Sequence, residues 1–294
     1  MSASSDKSLF PLPFALLIGP QRAGTTWVDR YLRSRGDICL PEEVKEVFFF
    51  DRNYDRGADF YKSHFNITDQ HALAMEITAT SFDHPYAPQR VYDLCGPDIK
   101  LICPLRYPIV RSYSLYLHYL RYGIVRGSLE EAIKQEPQIL SSSHYSEHLK
   151  RWFDVFGKDN ITVLFQEELE KNQKQFVTNL CDGLGIEFIP PVQAVQGRYN
   201  ITTFSKFGPL AAITQKTADV LRYFKMYWVI NLGKAIGLKR LIFGKECPDA
   251  KRGGIPEDDY ELLMDHLYGE VTKLERLLGH KIELWEDMIP DSKS

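Results

Sequence analysis

FALLIGPQRAGTTWVDRYLRSRG, residues 14–36, decides how the rest of the chain is read. FALLI (14–18) is a short continuous apolar run, as expected of a parallel strand buried on both faces. PQRAGTTW (20–27) is a turn of small residues. WVDRYLRSRG (27–36) then sets Trp27, Val28, Tyr31 and Leu32 on one helical face, and Gly36 ends the helix. A strand handing over to a helix in this way aims free backbone N–H groups and the positive end of the helix dipole at an anion. Gly24 lets a ligand approach the backbone closely. Thr25 and Thr26 offer hydroxyl donors, and Arg22 supplies charge on a forked donor set.

The turn is not that of a nucleoside-triphosphate kinase. Such an enzyme needs a lysine for the β/γ phosphates and a hydroxyl plus an acidic residue for magnesium. Here Gly24 stands at the lysine position before the hydroxyls, and no predicted strand ends in an aspartate placed for a metal. A smaller phosphate group held without magnesium is expected. A P-loop nucleotide or sugar kinase is the alternative.

The same alternation continues outward. ALAMEI (72–77), KLICPL (100–105) and NITVLF (160–165) read as further strands. Residues 109–122, 146–156, 167–185 and 256–278 read as helices. The last opens on Asp258, Asp259 and Glu261, where the dipole favours acids, and carries an apolar stripe from Leu263 to Leu278. Strands alternating with helices predict a P-loop-like three-layer α/β/α fold with a mostly parallel central sheet, as one domain over 1–294.

Composition narrows the partners. Net charge is −3 and 44% of residues are hydrophobic, which fits a globular chain with a sizeable core and gives no sign of nucleic-acid binding. Residues 200–255 depart from that average, with ten Lys/Arg against three Asp/Glu. Within them, 220–245 is cationic, aromatic and apolar, and reads as a lid over an acceptor, a peripheral membrane contact or a packed helix pair. The five cysteines form no CxxC pair, so a reducing compartment is expected and no metal site. LFPLPFALLIGP (9–20) is too short to span a bilayer and lacks a signal-peptide pattern, which predicts a cytoplasmic protein. His144 and His148 have i, i+4 spacing but no third ligand, and are expected to be a surface pair.

LICPLRYPIVRSYSLYLHYLRYG (101–123) adds a second anion-binding pattern. Arg106 leaves a strand end and Ser114 lies eight residues on, in the following helix, with Arg111 between them as a further donor. Ligands of open α/β sheets bind at that carboxyl edge.

Together the two segments resemble the sulfotransferases that use 3′-phosphoadenosine 5′-phosphosulfate (PAPS). KEVFFFDRNYDRGADFYKSHF (45–65), MEITATSFDHP (75–85) and YGEVTKLERLLGHKIELWED (268–287) resemble the glycan-modifying, heparan-sulfate branch, the last its C-terminal helix and tryptophan strand. KRGG (251–254) resembles its basic loop. The resemblance implies that Arg22, Ala23, Gly24, Thr25, Thr26 and Trp27 hold the 5′-phosphosulfate. It assigns the 3′-phosphate to Arg106, Ser114, Lys251, Arg252 and Gly253. Sulfuryl transfer to a hydroxyl or amine of a carbohydrate or glycolipid-like acceptor is implied, leaving 3′-phosphoadenosine 5′-phosphate (PAP) and requiring no metal. Glu46 is the implied base, and burial is expected to raise its pKa toward a useful range. Lys45 and Arg22 stabilise the leaving group, and Glu76 holds the acceptor or shares the base role. His64 is a rival base on chemistry alone. The chain departs from the pattern at Arg22, where many members have lysine, and at Ile77 and Ala79, where the branch has lysine and proline. One cation near the acceptor is thereby removed.

Overall fold

The computed structural model describes residues 9–193, 202–205, 243–247 and 254–288. The chain divides into two compact units: residues 1–106, 145–197 and 274–294 form the first, and residues 107–144 and 198–273 the second.

The first unit is built on a five-stranded sheet. Its strands are β1 (Phe14–Leu17), β2 (Ile38–Cys39), β3 (Leu73–Ile77), β4 (Lys100–Leu105) and β5 (Ile161–Phe165), in the order β2-β3-β1-β4-β5. Every pairing is parallel. β1, the run that begins the phosphate turn, is central and buried throughout. Its register sets Leu16 beside Glu76 on one side and Leu101 on the other. Connections from β1 lead to one side of it and β4 lies on the other, so the carboxyl ends of β1 and β4 border the switch point where open α/β sheets take ligands.

Helices flank the sheet. α1 (Thr25–Arg35) ends on Gly36 at φ 81°, the left-handed cap the sequence predicts. α2 (Gly57–Lys62) and α3 (Ala87–Cys95) are short and gave no sequence signal, whereas the later α7 (Tyr145–Phe156) is the helix expected over 146–156. The helix expected over 167–185 is two helices, α8 (Gln166–Lys171) and α9 (Gln173–Leu184). Asn172 separates them, its side-chain oxygen capping α9 by accepting the Gln175 N–H at 3.2 Å. Gly183 of α9 packs so closely on β5 that an added Cβ would meet Thr162 Oγ1 at 2.5 Å. The tryptophan strand implied near 285 is a 3₁₀ helix instead, Glu283–Met288; Trp285 is fully buried and its indole N–H reaches Glu167 Oε2 at 2.8 Å.

In the second unit, α4 (Pro108–Arg121) starts with proline at its first position, as predicted. α5 (Leu129–Gln135) opens on a capping box between Ser128 and Glu131. α6 (Gln138–Ser141) and the antiparallel pair β6 (Thr202–Ser205) and β7 (Phe243–Cys247) follow. The helix expected over 256–278 breaks at Gly269, φ 75°, into α10 (Glu257–Leu267) of this unit and α11 (Glu270–Leu278), whose residues from 274 on belong to the first. Among the described residues no helix is long and apolar enough to cross a membrane.

Candidate functional site

β1 ends at Leu17 and the chain turns through residues 19–24 into α1. Gly19, at φ 103°, runs so close to the segment after β3 that a Cβ there would sit 2.4 Å from the Ala79 carbonyl oxygen. Gly24, at φ 83°, is the N-cap of α1 and carries no side-chain cap, so the helix start keeps its anion-binding character. A Cβ on Gly24 would meet only the flexible side chain of Gln166, 3.5 Å away.

Among the described residues, the non-glycine residues with positive φ are Arg22 (70°) and Phe48 (54°). Such conformations cost energy for residues with a Cβ and collect at functional sites. Arg22 lies in the phosphate turn. Phe48 starts the π-helical turn Phe49–Asn53, another feature that gathers at functional sites. The two strained positions belong to the two segments that the sequence ties to donor and base.

Lys45 joins those segments. Its Nζ lies 2.9 Å from Thr25 Oγ1 and 3.2 Å from Glu46 Oε1. A hydroxyl of the phosphate turn, an ammonium and a carboxylate thus stand in sequence. Glu46 is 14% exposed at its side chain, and its Oε2 is buried without a hydrogen-bond partner among the described residues.

Glu76 is fully buried. Its Oε1 accepts the Val47 N–H at 2.8 Å and its Oε2 the Tyr61 hydroxyl at 2.6 Å. Burial raises its pKa to about 8, against the lowering pull of those two hydrogen bonds; the nearby charges of Glu46 and Asp51 add to the rise. One oxygen therefore holds the backbone next to Glu46, and the other holds a side chain of α2. His64 is buried too, its Nδ1 donating to the Phe60 carbonyl at 2.9 Å at the end of α2.

The remaining donor residues divide between the units. In the first, Ala23 and Thr25 are buried and Thr26 is half-buried. Trp27 stacks on Tyr31, centroids 5.7 Å apart, and its backbone N–H donates to the Gly24 carbonyl at 2.9 Å. Arg106, 5% exposed, follows β4 and points a guanidinium nitrogen at the Arg22 carbonyl, 3.5 Å away, while Tyr145 donates to the Arg106 carbonyl at 2.8 Å. In the second, Ser114 is buried on α4. Arg111 is fully buried, with Nε on Ser143 Oγ at 2.5 Å and Nη2 on the Ile139 carbonyl at 2.7 Å. The sequence offered it as a further phosphate donor; its guanidinium instead ties α4 to the segment after α6. Lys251, Arg252, Gly253 and the 220–245 segment lie outside the described residues.

Sequence reasoning passed over Gln166, which borders Gly24 from the end of β5 and has a buried Oε1 without a partner among the described residues. Its position directly after a strand was the available signal. Asp51, within the 45–65 segment, has a side chain only 6% exposed and its charge acts on Glu76. His148, expected on a surface, is buried beside Arg151. Among the described residues no cluster of three or more His, Cys, Asp or Glu side chains could hold a metal ion.

Residues 13–206 match the sulfotransferase domain family. The bifunctional heparan sulfate N-deacetylase/N-sulfotransferase 1 of Caenorhabditis elegans is 29% identical over 196 residues, covering 61% of this chain and 23% of that protein. Its namesake in Xenopus laevis is 31% identical over 204 residues, covering 62% and 23%. The chain thus spans under a quarter of the length of either relative. A sulfotransferase from Alicyclobacillus acidocaldarius shares the fold, with a TM-score of 0.62 at 23% identity over 94% of this chain and 99% of that one. Family match, central parallel sheet and phosphate turn agree, and the chain belongs to the sulfotransferase domain family.

Proposed function

We propose that this chain transfers the sulfuryl group of PAPS to a hydroxyl or amine of a carbohydrate-like acceptor, without a metal. The observation that carries the reading is the Thr25–Lys45–Glu46 chain of contacts, 2.9 and 3.2 Å, which couples the phosphate turn to a carboxylate. The turn from Arg22 to Trp27 takes the 5′-phosphosulfate on backbone N–H groups, the Thr hydroxyls and the Arg22 charge. Arg106 supports the 3′-phosphate. Ser114, Lys251, Arg252 and Gly253 keep the roles that their sequence match implies.

In the reaction the acceptor oxygen or nitrogen bonds to sulfur as the bond from sulfur to the bridging phosphate oxygen breaks. That electron pair leaves with PAP. Lys45 and Arg22 offset the charge building on the bridging oxygen, and Glu46 takes the acceptor proton. Glu46 suits the task because one oxygen is held by Lys45 and the other has no partner among the described residues. The acceptor class is supported by the N-sulfotransferase relatives and by the matching residues 45–85. A reducing, cytoplasmic setting is supported by Cys39, Cys95, Cys103 and Cys181, all free thiols.

A thermal-shift titration with PAP beside ATP–magnesium tests the reading. PAP at about 100 times its dissociation constant stabilises the fold by about 2.7 kcal/mol. Stabilisation by PAP in the presence of a chelator is expected. A response to ATP–magnesium alone would replace the sulfotransferase reading with a kinase.

A further inference from the structure

A second group of residues in the first unit has no part in donor binding. Tyr86 is 66% exposed, more than any other large hydrophobic side chain described in that unit. It stands immediately before α3. Its ring meets the His84 ring at 5.9 Å and 63°. The Arg90 guanidinium lies 5.8 Å from the Tyr86 centroid and 4.9 Å from that of Tyr54. Arg90 Nη1 also donates to the Phe50 carbonyl at 2.7 Å. The guanidinium is therefore a fixed pillar between two tyrosines, anchored on the π-helical turn that carries Asp51.

Polar atoms without partners lie in the same segments. Asp51 Oδ2 pairs with Arg52 Nε at 3.2 Å, but Oδ1 is buried on a side chain only 6% exposed and has no hydrogen-bond partner among the described residues. The same holds for Thr80 Oγ1, on a residue 6% exposed, and for His84 Nδ1. Buried polar atoms are almost always paired, and an unpaired one costs about 1–3 kcal/mol. Carboxylate oxygens only accept, so whatever satisfies Asp51 brings O–H or N–H donors. An exposed tyrosine ring offers an amphipathic face that costs little side-chain entropy to use. A pyranose ring presents the complement: a flat C–H face on one side and hydroxyl or amine donors around its rim.

We propose that Tyr86, His84 and Arg90 form a saccharide platform of the acceptor site. The sugar ring lies on Tyr86 and turns its donors toward the segments of Asp51 and Thr80, whose Oδ1 and Oγ1 are covered in the structure and become uncovered to accept them. The inference rests on the sulfotransferase reading and specifies its acceptor. Burial, then the Arg90 charge, holds the His84 pKa below its ordinary value against the opposing pull of Asp51 and Asp83, with Arg151 adding to the lowering. The imidazole is then neutral near pH 7 and contributes a hydrogen bond rather than charge. Arg90 is spent on Phe50 and the two rings, and Arg151 donates to the Asp83 carbonyl at 3.1 Å and to His148. Asp51 is an acidic side chain that acts on His84, and Ile77 stands where the glycan branch has lysine. The platform therefore takes a neutral or amino sugar in preference to a sulfated one.

The test is titration of the full chain, PAP present, with three probes: glucosamine tetramer, cellotetraose and a heparin tetrasaccharide. Binding is read by saturation-transfer NMR and calorimetry. The amino or the neutral tetramer is expected to bind, with saturation on ring C–H protons. Tyr86→Ala should weaken it at least tenfold, Tyr86→Phe should retain it, and His84→Ala should weaken it less. Each variant should give the wild-type thermal shift with PAP. Tyr86 is a surface residue, so these variants fold. Undiminished binding by Tyr86→Ala, failure of both uncharged-or-cationic tetramers to bind the wild type, or tighter binding of the heparin fragment overturns the platform. Loss of the PAP shift in the wild type overturns the donor reading separately, because sugar binding is measured on its own signal.

Discussion

Tyr61 Oη stands 2.6 Å from Glu76 Oε2, inside a fully buried pair that no solvent reaches. The tyrosine comes from α2 and the carboxyl from β3, and the other carboxyl oxygen holds the Val47 N–H at 2.8 Å. This clasp ties the segment bearing Lys45 and Glu46 to the central sheet. Its energetics are unusual: burial outweighs the two hydrogen bonds, and the neighbouring charges that act on the carboxyl, Glu46 and Asp51, are acidic.

A pH signature follows. The Glu76 pKa is raised from 4.5 to about 8 in the fold. Between those values the unfolded chain has released the proton and the native chain keeps it. Stability therefore falls as pH rises from about 5 to about 8, by up to about 1.4 kcal/mol per pH unit, and levels off above. Glu76→Gln preserves an acceptor for Val47 and a partner for Tyr61 and lacks the titration. Urea unfolding from pH 5 to 9 should show the downward slope in the wild type and a flatter profile in the variant. Equal slopes would refute the buried, protonated carboxyl. Because both oxygens of Glu76 face protein groups, the same variant should keep kcat within a few-fold at pH 7.

Lys45 is where donor and base segments meet, so its loss should act on turnover rather than on donor affinity. Lys45→Ala should lower kcat about 10²–10³-fold, the usual cost of removing one preorganised donor from developing charge. The PAP dissociation constant should change only a few-fold, since Arg22, the backbone and Arg106 remain. Lys45→Arg should restore part of the rate. Single-turnover rates beside PAP calorimetry separate the two effects; a loss confined to PAP affinity would assign Lys45 to binding.

Gly19 tests the packing beneath the phosphate turn. Alanine there must hold φ near 103° with its Cβ 2.4 Å from the Ala79 carbonyl oxygen and 2.8 Å from its Cα. The neighbour is backbone and cannot swing aside. Gly19→Ala should destabilise by at least about 2 kcal/mol. Gly36→Ala is the control, since nothing lies within 4 Å of its Cβ although its φ of 81° carries the same local strain. Similar melting points for the two variants would mean that the turn has room to move.

The sequence made the sheet and the donor turn legible because their signals are local. FALLI, KLICPL and NITVLF are continuous apolar runs, and each is a strand of the parallel sheet. Gly36 and Pro108 mark helix boundaries through backbone chemistry that needs no tertiary context. Other features were set by contacts between distant segments. VFFF (47–50) reads as core, and Phe49 and Phe50 are core, but nothing local announces the left-handed Phe48 or the π-helical turn after it. Glu76 reads as a strand-end carboxylate; that Tyr61 of α2 and the Val47 N–H occupy it depends on contacts between segments 15 and 29 residues away in the chain. Asn172 and Gly269 look tolerable inside longer helices, and become breaks once Asn172 caps α9 and Gly269 takes a positive φ.

The same distinction separates two arginines five residues apart. Arg106 and Arg111 read alike as donors near a sheet edge. Arg106 lies beside the phosphate turn, 3.5 Å from the Arg22 carbonyl. Arg111 is fully buried on Ser143, Ser112 and the Ile139 carbonyl of the second unit. Arg106→Ala should abolish the thermal shift given by PAP and leave the ligand-free melting point within a few degrees. Arg111→Ala should strip partners from two serines and a carbonyl and open a cavity, with a loss of at least about 3 kcal/mol expected for breaking a buried charged network. Arg111→Met, which keeps apolar volume but no donors, should recover part of that loss. A differential scan of the three variants with and without PAP reads both quantities. Should Arg111→Met fold normally yet lose the PAP shift that Arg106→Ala keeps, the roles assigned to the two arginines would be reversed.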